Sequence, residues 1–388
     1  MSTLSAKEAA ALLGVTPQTL YSYVSRGLLK SFTGPDERAS RYSREAVEQL
    51  ARTRRLGRRP KEIAKSTLDW GVPVLESSLT LIEEERLYFQ GQDAVALART
   101  ASLEDAAALL WQIEDAFTHP APEATASFES RWSQPPSQPF PAELLSRFVL
   151  ACDQEAAWEH APGRLAEGCG RLVRLMAASA LGQSPAATPI HRQCAVAWGL
   201  RGWEADLIRQ ALVLCADHEL NASSFTARCI TSTGASLQAA LIGGLAALSG
   251  GLHGGLTARV ETFWRSLEGV SDLEGALREQ LASGMEIPGF GHPLYPNGDI
   301  RAQVILADVY PRLPQARAIA EAVTALTGKR PALDFSLVAL RRMLKLPEGA
   351  AFALFALGRS VGWIAQALEQ RQTGALIRPR AVYVGPRP

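Results

Sequence analysis

The chain opens on two short stretches in which apolar residues recur every three or four positions. Ser5 and Glu8 form an S-x-x-E capping box, so a helix is expected to start there, run through Ala9, Ala10, Leu12 and Leu13, and stop at Gly14. Thr16 can cap a second helix with Pro17 at its first position, where a missing N–H costs nothing. Leu20 and Val24 share one face of that helix at i, i+4, and Arg26-Gly27 is its expected end. Two short helices joined by a tight glycine-containing turn read as a helix-turn-helix. A loop with Arg38 and Arg41 follows, and a third helix is expected from Ser43.

From about residue 70 the pattern is mostly helical. Residues 103–111 and 142–152 read as amphipathic or buried helices. Residues 119–141 hold six prolines in 23 positions and are expected to be a surface loop. Residues 163–250 are rich in Ala, Leu and Gly, which suits closely packed helices in a large all-α body. No repeat of ~20–50 residues is present. The longest run without charge or strong polarity, around residues 239–252, contains Ser and several Gly and falls short of the ~18 residues that a membrane span needs. The N-terminus has no signal-peptide pattern. A soluble, cytoplasmic protein with no membrane partner is therefore expected.

Charge changes this picture. The 388-residue chain is nearly balanced, at +1, but residues 1–65 carry 13 Lys/Arg against 6 Asp/Glu, a net +7, so the rest carries 1 − 7 = −6. A basic head on a mildly acidic body suits a head that meets a polyanion. The exposed face of the second helix offers Gln18, Thr19, Tyr21, Ser22 and Arg26, and with Arg41 these are the candidate contacts to duplex DNA. Arg52, Arg54, Arg55, Arg58, Arg59 and Lys61 form a basic linker that can add phosphate contacts. The five cysteines show no CxxC and no metal-ligand spacing, so buried free thiols and no metal site are expected.

The candidate chemistry lies further on. Ile287-Pro-Gly-Phe-Gly-His292-Pro-Leu-Tyr places a histidine in a glycine turn, with Asp299 and Arg301 close behind. A histidine can protonate a small polycarboxylate and an arginine can neutralise it. Three companions occur in order: Ala216-Asp-His218-Glu-Leu-Asn-Ala-Ser-Ser, Gly250-Gly-Leu-His253-Gly-Gly, and Leu333-Asp334-Phe335. The glycines around His253 either break a helix or admit a ligand to the backbone. An apolar setting would raise the Asp334 pKa toward that of a general base, and the same residue could cap a helix. Arg359 lies in apolar helical text over residues 352–367 and calls for an anion, either a buried carboxylate or a substrate. Arg378 and Arg380 lie in an extended segment.

These motifs resemble the citrate synthase family over residues 70–388. The first 3–52 resemble the winged helix-turn-helix of MerR and excisionase proteins. The resemblance implies an all-α citrate synthase fold: residues 1–60 as a helix-turn-helix and linker, 61–258 with 346–388 as a large domain, and 259–345 as a small one. It implies condensation of acetyl-CoA, as co-substrate, with oxaloacetate to citrate, a tricarboxylic acid cycle step needing no tightly bound cofactor. Asp334 would take a proton from the acyl methyl group, His253 would hold the thioester oxygen, and His292 would protonate the oxaloacetate carbonyl. His218, Arg301, Arg359 and Arg378 would bind its carboxylates, with Arg378 supplied by the second subunit of a homodimer. Two alternatives are 2-methylcitrate synthesis from propionyl-CoA and a DNA-binding regulator that uses the body as a metabolite sensor. Two departures concern CoA: Pro293 stands where bacterial members commonly have Arg, and Pro296 where a basic residue is often seen.

Overall fold

The computed structural model describes residues 3–13, 15–25, 29, 31–33, 40–44, 47, 75–122, 140–152, 163–381 and 383–386. The chain falls into two compact units, Met1–Glu76 with Arg380–Pro388, and Ser77–Pro379.

In the first unit, β1 (Thr3–Ser5), α1 (Ala6–Leu13), α2 (Pro17–Ser25), β2 (Ser31–Thr33) and β3 (Ser40–Ser43) follow in order. The expected caps are both made. Ser5 N–H donates to Glu8 Oε2 at 2.8 Å and Glu8 N–H to Ser5 Oγ at 3.3 Å, while Thr19 N–H donates to Thr16 Oγ1 at 3.3 Å. Leu4, Ala9, Ala10, Leu13, Leu20, Leu29, Tyr42 and Val47 form the core, with Val24 packed against it. The sheet, ordered β1-β3-β2, is a correction. Arg41 is not in a loop but in β3, opposite Ser5 on one side and Phe32 on the other. Ser43 ends that strand, and the helix expected from it follows at once, Arg44 and Val47 being helical. Strands of three or four residues are too short to show a two-residue period. Arg26, Arg38 and the basic linker lie outside the described residues, as does most of the proline-rich stretch.

The second unit begins with an antiparallel meander, β4 (Thr80–Glu83), β5 (Arg86–Phe89) and β6 (Gln92–Asp93). Helices follow: α3 (Ala94–Thr100), α4 (Leu103–Trp111), α5 (Phe140–Ala151), α6 (Leu165–Leu181), α7 (Ile190–Trp198), α8 (Trp203–Leu214), α9 (Ala222–Ser232), α10 (Leu237–Leu248), α11 (Leu256–Ser266), α12 (Leu273–Ala282), α13 (Ile300–Val309), α14 (Pro314–Thr327), α15 (Leu333–Met343) and α16 (Ala350–Thr373). The helix expected over 103–111 is therefore present, and the one expected from 142 starts two residues earlier at Phe140.

Helix α16 organises this unit. It is long and apolar enough to cross a membrane, yet 94% of its most apolar stretch is buried inside the protein, so other helices take the place of lipid. Two glycines let its neighbours in. A Cβ at Gly358 would lie 2.5 Å from Cys215 Cβ, and one at Gly362 would lie 2.3 Å from the Ala216 carbonyl oxygen. The end of α8 and the turn after it can therefore press directly onto the helix backbone, and that turn carries His218.

Candidate active site

Three loops and the helices α13, α15 and α16 supply the site. The first loop follows α8 and ends at Asn221, whose Oδ1 accepts from Ser223 N–H and Ser224 N–H at 3.2 Å each and so caps α9. It holds His218 buried, with Nε2 2.9 Å from the Tyr295 hydroxyl. Burial, with Arg301 and Arg359 nearby, holds the His218 pKa well below its usual value.

The second loop carries His292. Gly289 and Gly291 take φ of 84° and 80°, a region that an L side chain resists. Gly291 N–H donates to the Arg330 carbonyl at 2.8 Å and Ala332 N–H to the Gly289 carbonyl at 2.9 Å. These bonds join the loop to the start of α15, which carries Asp334. Leu294 N–H donates to His292 Nδ1 at 3.2 Å. In a neutral ring that places the proton on Nε2. Burial first, then Arg301, pulls the His292 pKa down to about 4, so the ring is neutral near neutral pH. The His292 and His218 rings meet edge-on with centroids 5.3 Å apart.

The third loop joins α10 to α11. His253 Nε2 lies 2.9 Å from Ser223 Oγ, and Trp363 Nε1–H donates to the same oxygen at 3.0 Å. Burial, then Arg359 and Arg301, brings the His253 pKa down to about 3.

The charged groups differ in how well they are satisfied. Asp299 caps α13 through Arg301 N–H at 3.0 Å and pairs with the buried Arg301 guanidinium at 2.9 and 2.7 Å. Burial raises the Asp299 pKa, but the Arg301 charge and hydrogen bonds outweigh it and hold it low. Burial likewise works against the Arg301 charge, and Asp299 more than restores it. Arg359 is different. Its Nε donates to the Cys215 carbonyl at 2.9 Å, but Nη2 is buried without a hydrogen-bond partner. Burial pulls its pKa down to about 10, with Asp217 acting the other way. Of the two readings of Arg359, an internal ion pair and a waiting cation, the open Nη2 favours the second. Asp334 sits in the first turn of α15, two residues after the N-cap Ala332. It is therefore not the cap. Its Oδ1 is buried with no partner, and burial, tempered by Arg301, pushes its pKa up to about 7.

Sequence reasoning named His218, His253, His292, Arg301, Asp334 and Arg359, and these share one charged and aromatic neighbourhood. Arg378 is exposed in the extended segment after α16, apart from that group. Among the DNA candidates, Gln18 and Tyr21 are exposed, while Thr19 is half-buried with its hydroxyl 2.9 Å from Thr16 Oγ1. Several contributors were missed. Tyr295, Ser223 and Asp217 lay inside or beside the quoted motifs; Phe355, under the Arg359 guanidinium at 5.2 Å, lay one turn before it. Asp217 is fully buried, its Oδ2 accepting from Thr80 Oγ1 at 2.6 Å and Gln366 Nε2 at 3.1 Å. The cysteines are free, and burial pushes the Cys152 and Cys215 thiols up to about 12. Among the described residues no cluster of His, Cys, Asp or Glu could hold a metal ion. A cavity of about 570 Å³ lined by Leu306, Tyr310 and Arg330 lies apart from the histidines, and one of about 210 Å³ lies behind the His292 loop, lined by Ile287, Phe290 and Lys329.

Two protein-family models match. One, described as "Citrate synthase, C-terminal domain", covers residues 67–380, and the other, "Helix-turn-helix domain", covers residues 3–55. The chain is 33% identical over 292 residues to "Putative citrate synthase 2" of Mycobacterium tuberculosis, spanning 66% of this chain and 78% of that one. It is 34% identical over 193 residues to "2-methylcitrate synthase 1" of Corynebacterium glutamicum, spanning 47% and 51%. The crystal structure of citrate synthase from Thermotoga maritima superposes with a TM-score of 0.69 at 25% identity, covering 81% of this chain and 94% of that one.

Proposed function

This chain belongs to the citrate synthase family, with a helix-turn-helix domain at its N-terminus, and from that premise we propose that it condenses acetyl-CoA with oxaloacetate to give citrate and CoA. The observation that carries the reading is the buried Arg359 Nη2 without a partner, beside neutral histidines and a carboxyl whose pKa is raised to about 7. Such a site is built for an anion that arrives with its substrate.

The chemistry follows from the protonation states. Asp334, near its pKa at neutral pH, removes a proton from the acyl methyl group. His253, its Nε2 held 2.9 Å from Ser223 Oγ, binds the thioester oxygen of the enol. The enol carbon attacks the oxaloacetate carbonyl, and His292 Nε2–H protonates the new alkoxide. A neutral imidazole donates to a developing oxyanion without forming a permanent ion pair with the ground state. Hydrolysis of citryl-CoA then releases citrate and CoA. His218, Arg301 and Arg359 hold the oxaloacetate carboxylates, joined by the partner subunit's Arg378 in a homodimer. No tightly bound cofactor takes part. With prolines at 293 and 296, Lys329, which lines the small cavity behind the His292 loop, is our candidate for the CoA phosphate.

We place the large domain at residues 61–258 and 346–388 and the small domain at 259–345, and assign the protein to the cytoplasm. Gln18, Thr19, Tyr21, Arg26 and Arg41 are the proposed contacts of the head, residues 1–60, to duplex DNA. The relation to a 2-methylcitrate synthase supports a second substrate, propionyl-CoA, since one methylene is worth only ~1–3 kcal/mol of discrimination. Mass spectrometry of the products from oxaloacetate with acetyl-CoA and propionyl-CoA, supplied together, tests the proposal. A predominance of citrate supports it, a predominance of 2-methylcitrate moves the assignment to the second substrate, and neither product removes both.

A further inference from the structure

The β4–β5 hairpin turns through Glu84 and Glu85, which hold φ of 49° and 60°. A two-residue hairpin loop with both residues in the left-handed region favours Asn and Gly, because a Cβ crowds that conformation. A glutamate at the second of these positions is explained if a carboxylate is needed there. The Glu85 carboxylate reaches across 212 positions of sequence to Asn297: its Oε2 accepts from Asn297 N–H at 2.8 Å and its Oε1 from Asn297 Nδ2. Asn297 lies inside a turn that Gly298 N–H closes onto the Tyr295 carbonyl at 3.0 Å. On one side of that turn Tyr295 meets His218, and on the other Asp299 holds Arg301. The same hairpin grips the facing loop. Thr80 Oγ1 donates to Asp217 at 2.6 Å and Ile82 N–H to Glu219 Oε1 at 3.3 Å, and these two carboxylates flank His218.

We propose that Glu85 is a positioning residue for the dicarboxylate substrate. By tying the Asn297 turn to the hairpin that also holds the His218 loop, it sets Tyr295 and Arg301 opposite His218. The proposal rests on reading that site as the oxaloacetate site. In the full-length protein, Glu85→Ala should speed amide hydrogen exchange across residues 295–299. It should raise the oxaloacetate KM about tenfold, the usual worth of a lost charge-assisted contact, with the acyl-CoA KM and kcat little changed. Asn297→Asp sets two carboxylates against each other and should act alike. The double variant Glu85→Gln/Asn297→Asp, in which amide and carboxylate trade places, should recover both exchange protection and KM. Unchanged exchange in Glu85→Ala, or faster exchange with an unchanged oxaloacetate KM, overturns the proposal. If the wild-type protein binds no oxaloacetate by calorimetry while Glu85→Ala still loosens 295–299, the substrate reading falls and the tie itself stands.

Discussion

The His218 imidazole and the Tyr295 hydroxyl, 2.9 Å apart and 77 positions apart in sequence, join the loop after α8 to the loop before α13. Neither loop alone makes a site. Joined, they put two neutral histidine rings and the Arg301–Asp299 pair on one wall, where Arg359 Nη2, Asp334 Oδ1 and Asp217 Oδ1 are buried without hydrogen-bond partners. Catalysis and stability pull in different directions at Arg359 and Asp334, and each conflict can be measured.

Asp334→Asn should keep the fold and oxaloacetate binding while lowering kcat by about two to four orders of magnitude, the usual worth of a positioned base. The wild-type kcat should rise as pH passes through about 7, where the carboxyl loses its proton. The folded pKa is raised above the unfolded value of 3.8, so stability is fully present below 3.8 and is lost as pH rises toward 7. Asp334→Asn should therefore raise Tm at about pH 8 and change it less at about pH 4. A calorimetric Tm equally affected at both pH values would contradict the raised pKa.

Arg359→Leu should weaken oxaloacetate binding and leave acyl-CoA binding much less affected, as read by titration calorimetry. Because Nη2 has no partner in the ligand-free protein, removing the charge should leave the ligand-free Tm unchanged or raised. The Tm increase that oxaloacetate gives the wild-type protein should vanish. A large fall in ligand-free stability would instead mark Arg359 as half of an internal ion pair.

The exposed Arg378 should act in trans. Arg378→Ala and Asp334→Asn should each be inactive alone, yet regain activity when mixed and refolded together, because each mixed dimer then has one intact site. Random pairing returns roughly a quarter of wild-type activity. No recovery from the mixture, with mixed dimers shown to form, would mean that Arg378 serves its own subunit or none.

The head should bind duplex DNA more tightly in the full-length protein than as residues 1–60 alone, since the two heads of the proposed homodimer engage two half-sites. Binding should fall steeply with salt as phosphate counterions are released. Anisotropy titrations against genomic fragments at ~50 mM salt measure this, and no binding by a folded head would leave it a protein-interaction module. Deleting residues 1–60 should leave synthase activity intact.

The helices of the first unit were legible because their caps are local: Ser5 with Glu8, and Thr16 with Thr19, each span one turn. The strand at Arg41 was not, because it exists only through pairing with Ser5 and Phe32. The same division holds at the site. His218, His253, His292 and Asp334 stood out through their glycine and carboxylate neighbours. Their protonation states depend on burial by helices far away in sequence. Ser223 and Trp363 meet at His253 across 140 positions, and nothing in the local text of either shows it. Asp334 could be suspected as a cap, but the N-cap position two residues earlier is Ala332, which leaves the Asp334 carboxylate free for other work.

Release of free CoA thiol, measured with purified full-length protein, oxaloacetate and acetyl-CoA, decides whether the site turns over or only binds. Release should require both substrates and fall at least about a hundredfold in Asp334→Asn, with oxaloacetate affinity retained. Tight oxaloacetate binding with no CoA released from acetyl-CoA or propionyl-CoA would contradict the proposed condensation and leave the body as a metabolite sensor for the head.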